Sequence, residues 1–237
     1  MAKTSQGKCQ YCKRIFSKQG MKKHLDICEK RSDNFLKVPG DNAESYFCIK
    51  IEGQHAPEYW LYLDVSAERT TLKDLDKFLR DIWLECCGHL SQFIINRRYY
   101  TASSERSYDE YSMNYKLKDI LEVGTKFLHE YDFGSTTELN FKVVSNRTGI
   151  RRKKKIELMA RNRMPDVKCA VCGRKATFLC TECMWDKEEA AALCDDCAAE
   201  HECGEELLLP VCNSPRCGVC GYEGGMWLPF LLVIVLG

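Results

Sequence analysis

The sequence predicts an α+β protein: a mixed sheet with a packed helix in β-grasp-like order, flanked by small zinc-binding modules. Three observations lead there. Cysteine pairs two residues apart crowd both ends of the chain, strand-like apolar segments fill its middle, and one segment among them has helical apolar spacing.

The chain has 237 residues, enough for two or three modules, and its 45% hydrophobic content is ordinary for a globular protein. Its net charge of +1 conceals segregation: residues 1–38, 39–141, 142–168 and 169–237 carry +7, −7, +8 and −7. That alternation marks modules, and an anion would meet two local basic patches instead of a basic protein.

Residues 7–31 form the first module. Cys9-x2-Cys12 is followed by His24-x3-Cys28, with Phe16 and Met21 between them as a miniature core. A tight knuckle aims two thiolates at one ion about 2.3 Å away, and a helix over Lys22–Glu29 puts His24 and Cys28 one turn apart on one face. The pattern resembles the C2HC zinc fingers, which implies a zinc-stabilised unit used for nucleic-acid or protein contact. Lys13, Arg14, Lys18, Lys22 and Lys23 surround it with positive charge, suited to phosphate or simply to solvent. One finger offers too little surface for tight sequence-specific DNA reading.

Residues 42–148 form the central domain. SYFCIKIEG and PEYWLYLDV read as two strands joined at Gly53 and Pro57. Thr70 or Thr71 then caps a helix in which Leu72, Leu75, Phe78, Leu79, Ile82 and Trp83 recur at three-to-four spacing up to Gly88. LSQFIINRRYY, TKFLHEYDF and ELNFKVVS read as three more strands, with a short helix KLKDILE between the first two.

Trp60, Thr71-Leu72 with Asp74-Leu75, His89-Leu90 with Phe93, and Tyr131-Asp132-Phe133-Gly134 stand in an order and spacing that resembles the plasmid pRiA4b ORF-3-like family over residues 44–148. The resemblance implies an architecture and an association with plasmids and insertion elements, and no established activity. The chain departs from the family after Asp-Phe-Gly, where Ser135, Thr137 and Leu139 replace Asp, Trp and His, and Leu61 follows Trp60 where the family has Arg. An acid-and-imidazole role for that motif is therefore unsupported.

Asp132-Phe133-Gly134 is not a kinase magnesium motif, because no Gly-rich loop or His-Arg-Asp loop accompanies it. Gly-x-Ser-x-Gly and the phosphate-loop motif are also missing. The rival enzyme reading centres on His89, Tyr131 and Asp132 and requires a deep pocket there. His129, beside strand residues, reads as a packed or hydrogen-bonded core side chain. Cys48, Cys86 and Cys87 lack paired spacing and read as core or near-surface thiols.

Residues 149–168 read as a basic linker, with Arg151, Arg152, Lys153, Lys154 and Lys155 either solvated or adding sequence-blind phosphate contact. Residues 169–222 hold eleven potential ligands: Cys169, Cys172, Cys180, Cys183, Cys194, Cys197, His201, Cys203, Cys212, Cys217 and Cys220. Two sites need eight of them. Alternating pairs suggest Cys169/Cys172 with Cys194/Cys197, interleaved with Cys180/Cys183 and His201/Cys203, with Cys220 as a substitute for either of the last two. The spacing resembles B-box and MYND-type fingers, which implies a protein partner. The acidic surface (Asp186, Glu188, Glu189, Asp195, Asp196, Glu205, Glu206) argues against nucleic acid at this end.

Sixteen cysteines would also permit a secreted disulfide scaffold, but MAKTSQGKCQ has no apolar export core, so a cytoplasmic chain with reduced thiols is expected. About three zinc ions per chain follow. Met226–Leu236, within an apolar tail over residues 223–237, is eleven residues interrupted by Pro229 and too short to span a bilayer. The combined expectation is a non-catalytic zinc-binding adaptor tied to mobile-element DNA. The finger and the basic linker touch nucleic acid, and the last module holds a protein.

Overall fold

The computed structural model describes residues 5–32, 42–103, 105, 107–186 and 191–225, so the apolar run from Met226 and the acidic pair Glu188 and Glu189 lie outside the described residues. The chain is mixed α+β and divides into two compact units, residues 1–78 with 89–165, and residues 79–88 with 166–237.

The first unit begins with β1 (Gln6–Cys9), β2 (Ile15–Ser17), α1 (Lys18–Ile27) and the short α2 (Glu29–Ser32). Ser17 starts α1: its backbone is extended and its Oγ accepts from Gly20 N at 3.1 Å. The helix buries Met21, His24 and Leu25 at three-to-four spacing, then gives way to extended backbone at Cys28.

The central strands are β3 (Ala43–Gly53) and β4 (Trp60–Ser66), paired antiparallel from Tyr46 opposite Ser66 to Glu52 opposite Trp60. Next comes α3 (Leu72–Leu79), opened by a reciprocal cap in which Asp74 N donates to Thr71 Oγ1 at 3.2 Å and Thr71 N to Asp74 Oδ2 at 2.9 Å. The expected single helix up to Gly88 is shorter: α3 passes into a five-residue π-helical turn, Arg80–Leu84, and the chain is extended at Glu85.

LSQFIINRRYY is a hairpin and not one strand. β5 (Ser91–Ile95) and β6 (Arg98–Thr101) flank Asn96 and Arg97, both at positive φ (50° and 64°), as a tight two-residue turn demands. β7 (Glu110–Ser112), α4 (Leu117–Ile120), β8 (Lys126–Tyr131) and β9 (Thr137–Ile150) follow. The last strand is β10 (Ile156–Asn162), which lies inside the stretch expected to be a linker.

Sheet order is β2-β1-β10-β4-β3-β9-β8-β5-β6-β7, antiparallel except for β6 beside β7. β10 therefore joins the finger to the central strands, pairing with β4 on one side and with β1 on the other (Gly7 opposite Asn162, Cys9 opposite Ala160). Cys9, Met21, Leu25 and Cys28 of the finger share one buried cluster with Cys48, Trp60, Tyr62, Met159 and Ala160 of the sheet. The finger is thus continuous with the domain it precedes. Each of its buried apolar side chains contributes about 1.5–3 kcal/mol to a core it does not own alone.

The second unit contains β11 (Phe178–Cys180), α5 (Thr181–Asp186), β12 (Ala192–Leu193), α6 (Asp195–Ala199) and β13 (Leu208–Pro210), with strand order β12-β11-β13. Its small core is Cys180, Cys183, Ala191, Leu193 and Ala198. The segment 79–88 is held to residues 213–214 of the same unit, where Trp83 Nε1 donates to Asn213 O at 3.0 Å and Ser214 Oγ donates to Trp83 O at 2.7 Å.

Candidate metal centres

In the first unit, the ligand atoms of Cys9, Cys12, His24 and Cys28 all lie within 4.8 Å of one another. Two come from the knuckle after β1, where Lys13 takes a positive φ of 63° and its N–H turns back to Cys9 O at 3.0 Å. The other two come from α1 and its end. Cys12 Sγ stands 3.2 Å from His24 Nε2, and Phe16 stacks on the imidazole at 4.0 Å between ring centroids.

In the second unit, Cys169, Cys172, Cys194 and Cys197 form one group and Cys180, Cys183, His201 and Cys203 another, each within the same 4.8 Å limit. The pairs alternate along the chain, so each ion would tie two distant turns together. Cys172 Sγ lies 3.6 Å from Cys194 Sγ, Cys183 Sγ 3.9 Å from Cys203 Sγ, and Cys183 Sγ 3.4 Å from His201 Nε2. A tetrahedral ion with ligands at about 2.3 Å sets its sulfurs about 3.8 Å apart, whereas a disulfide needs about 2.05 Å. The donor sets and separations fit zinc, and all sixteen cysteines are free thiols.

Crowding, burial and nearby N–H groups pull the ionisation of these ligands in different directions. Burial pushes Cys9 up to about 11. Burial opposes ionisation of Cys12 too, but the Arg14 backbone N–H and guanidinium outweigh it and bring that thiol down to about 7. The Cys172 backbone N–H lowers Cys169 to about 6, whereas Cys197 is pushed up to about 12 by its hydrogen bond to Cys194. Four crowded thiols cannot all ionise without a cation among them. Burial, helped by the Arg14 charge, pushes His24 down, which keeps the imidazole in the neutral form a metal requires.

Cys220 does not substitute for His201 or Cys203. It sits with Cys86 and Cys87 of the same unit, their sulfurs within 4.8 Å of one another. The reading of Cys86 and Cys87 as unpaired thiols missed this because a pair 133 residues away in sequence gives no local signal. Cys212 and Cys217 pair with each other, Cys212 N donating to Cys217 Sγ at 2.9 Å.

Several candidate phosphate contacts are engaged inside the protein. Lys18 Nζ bonds Glu52 Oε2 at 2.7 Å and Pro57 O at 2.9 Å. Arg152 reaches Asp64 at 2.5 Å and also bonds Glu157, and Lys155 Nζ lies 3.0 Å from Asp74 Oδ2. Asp64 is fully buried and also bonds Arg147, and both guanidinium groups stack on the Tyr46 ring, at 4.4 and 4.5 Å. Lys13, Arg14, Lys22, Lys23, Arg151, Lys153 and Lys154 are exposed.

The trio of the enzyme reading does converge: His89 meets Tyr131 edge-on at 5.7 Å, and its Nδ1 is 3.6 Å from Asp132 Oδ1. Tyr131 is fully buried and Asp132 nearly so, which leaves only the imidazole to meet a solute. His129 is a core side chain, fully buried with Nε2 2.8 Å from Asp76 Oδ1, which also accepts from Ser91 Oγ at 2.7 Å.

No family model and no curated protein matches this sequence. Among solved structures, a crystal structure of a protein of unknown function from Methanosarcina mazei Go1 is similar, with a TM-score of 0.41 and 18% identity over 49% of this chain and 68% of that one. Among the described residues no helix is long and apolar enough to cross a membrane.

Proposed function

We propose that the protein is a zinc-dependent, non-catalytic adaptor. The observation that carries this is the set of three four-ligand Cys/His groups. Four protein ligands close a tetrahedral shell and leave no position for the water that a catalytic zinc needs, so the ions act on folding and presentation. Reduced thiols throughout fit a cytoplasmic setting.

The nucleic-acid half of the reading rests on the exposed cations. The pairing of Cys9 with Ala160 and of Gln10 N with Met159 O runs the finger's knuckle toward the start of β10, the end at which Arg151, Lys153 and Lys154 stand. Lys13 and those three side chains thus share one end of the sheet, with Lys22 and Lys23 exposed on α1. A phosphate backbone would meet them as a sequence-blind, salt-sensitive surface. The protein half rests on the acidic, zinc-braced second unit. Capture of a peptide along a sheet edge is less favoured, since the edges β2 and β7 have three residues each. Membership of the plasmid pRiA4b ORF-3-like family and an association with mobile-element DNA belong to this same proposal.

The test is binding to random-sequence DNA and RNA across a salt series. Affinity should fall steeply with salt, and Lys22→Glu/Lys23→Glu and Lys153→Glu/Lys154→Glu should each weaken it across all sequences and flatten the slope by about one per cation removed. Binding unchanged by salt and by these substitutions would remove the nucleic-acid half.

A further inference from the structure

We propose that Cys86, Cys87 and Cys220 are the thiolate ligands of a further zinc ion. This goes beyond the three tetrads and stands whether or not the protein binds nucleic acid.

The three sulfurs belong to one compact unit and are brought within 4.8 Å of one another from segments 133 residues apart in the sequence. Their backbone is held independently of any ion. The Trp83 indole and carbonyl are bonded to Asn213 and Ser214, and the buried Arg216 donates to Cys86 Sγ at 3.5 Å. A Cβ on Gly225 would lie 2.6 Å from Ile82 O, so the chain beyond Cys220 also runs hard against the inserted segment. Cys220 itself ends a knuckle, Cys217-x2-Cys220-Gly221, in which Gly218, Cys220 and Gly221 all take positive φ (80°, 49° and 62°). A non-glycine residue is held in that region only by its surroundings, here where the turn aims its thiol toward Cys86 and Cys87.

The chemistry of the donors selects the ion. Three soft thiolates suit zinc and exclude magnesium or calcium, which take oxygen ligands. The site also differs from the tetrads in exposure. Cys87 and Cys220 are exposed and Cys86 half-buried, whereas Cys9, Cys28, Cys169, Cys180, Cys183 and Cys194 are buried. This ion is therefore the most open to chelators and the first to leave, and its departure would release a staple between residues 86–87 and residue 220.

Zinc should be counted on the full chain and on Cys220→Ser, whose exposed side chain makes that substitution the mildest to the fold. The expected result is four equivalents falling to three. In parallel, alkylation of the unaltered protein should mark Cys87 and Cys220 slowly with zinc present and fast after mild chelation, before any thiol of the tetrads reacts. Three equivalents in both the parent and Cys220→Ser, or equal labelling of Cys87 and Cys220 with and without zinc, would overturn the proposal and leave the tetrads standing.

Discussion

Glu44 shows how much a single buried charge decides. Its carboxylate accepts from Ser66 Oγ at 2.6 Å, Tyr46 Oη at 2.6 Å and Arg69 Nη2 at 2.8 Å, with Arg69 Nε bonded as well. Burial alone would raise its pKa, but these donors outweigh it and bring that pKa down from 4.5 to about 2. Because the folded value lies below the ordinary one, the stabilisation is fully present above pH 4.5 and is lost as pH falls through that value toward about 2. Acid titration of the thermal midpoint should show this loss, of order ~3 kcal/mol, in the parent and not in Glu44→Gln. The variant itself should be less stable at neutral pH by about 3–5 kcal/mol, since Arg69 loses its buried partner. Equal acid profiles for the two proteins would contradict this account of the residue.

At the scale of elements, the joint between β1 and β10 carries the structural argument. Gly7 sits where a Cβ would lie 2.2 Å from Trp60 Cη2 and 2.6 Å from Arg161 O, and the Trp60 indole donates to Ser5 Oγ at 2.6 Å. Gly7→Ala must therefore push the finger off the sheet. A loss of about 1–3 kcal/mol is expected. Amide exchange should rise in β1 and α1 and also along β10 and β4; a rise confined to residues 6–28 would mean that the finger is an independent bead. This joint was not legible in the sequence. Residues 149–168 look like a solvated charge run because Arg151 to Lys155 dominate them, yet Ile156, Leu158 and Met159 beyond the run supply the strand. The β5–β6 hairpin was missed for a related reason: Asn96-Arg97 lacks the glycine that usually marks a turn with positive φ at both positions. What was legible followed regular periods and spacings. The helical repeat from Leu72 appears as α3 with its Thr71 cap, the alternation in SYFCIKIEG as β3, and the Cys-x2-Cys knuckles as clustered thiols.

For the whole molecule, the metal groups divide the labour with ordinary cores. The first unit has a ten-stranded sheet and shares its finger's thiols with the cluster around Trp60, so metal there would reinforce a core that exists without it. Among its described residues the second unit has three strands of two or three residues each, and its core is itself partly cysteine. Such a unit would draw much of its folding energy from metal bound at its two tetrads. The ligand groups that join distant pairs could be paired from the sequence because alternation leaves few economical choices, while the meeting of Cys220 with Cys86 and Cys87 depends on tertiary structure that no local spacing encodes.

The measurement that bears most directly on this account is amide exchange of the full chain before and after removal of zinc by a strong chelator, with the metal released counted alongside. At least three equivalents should leave, protection in residues 169–222 should collapse to that of an unfolded chain, and β3, β4 and β9 should keep theirs. A chain that releases no metal, or one that keeps the protection of residues 169–222 after its metal has gone, would contradict it.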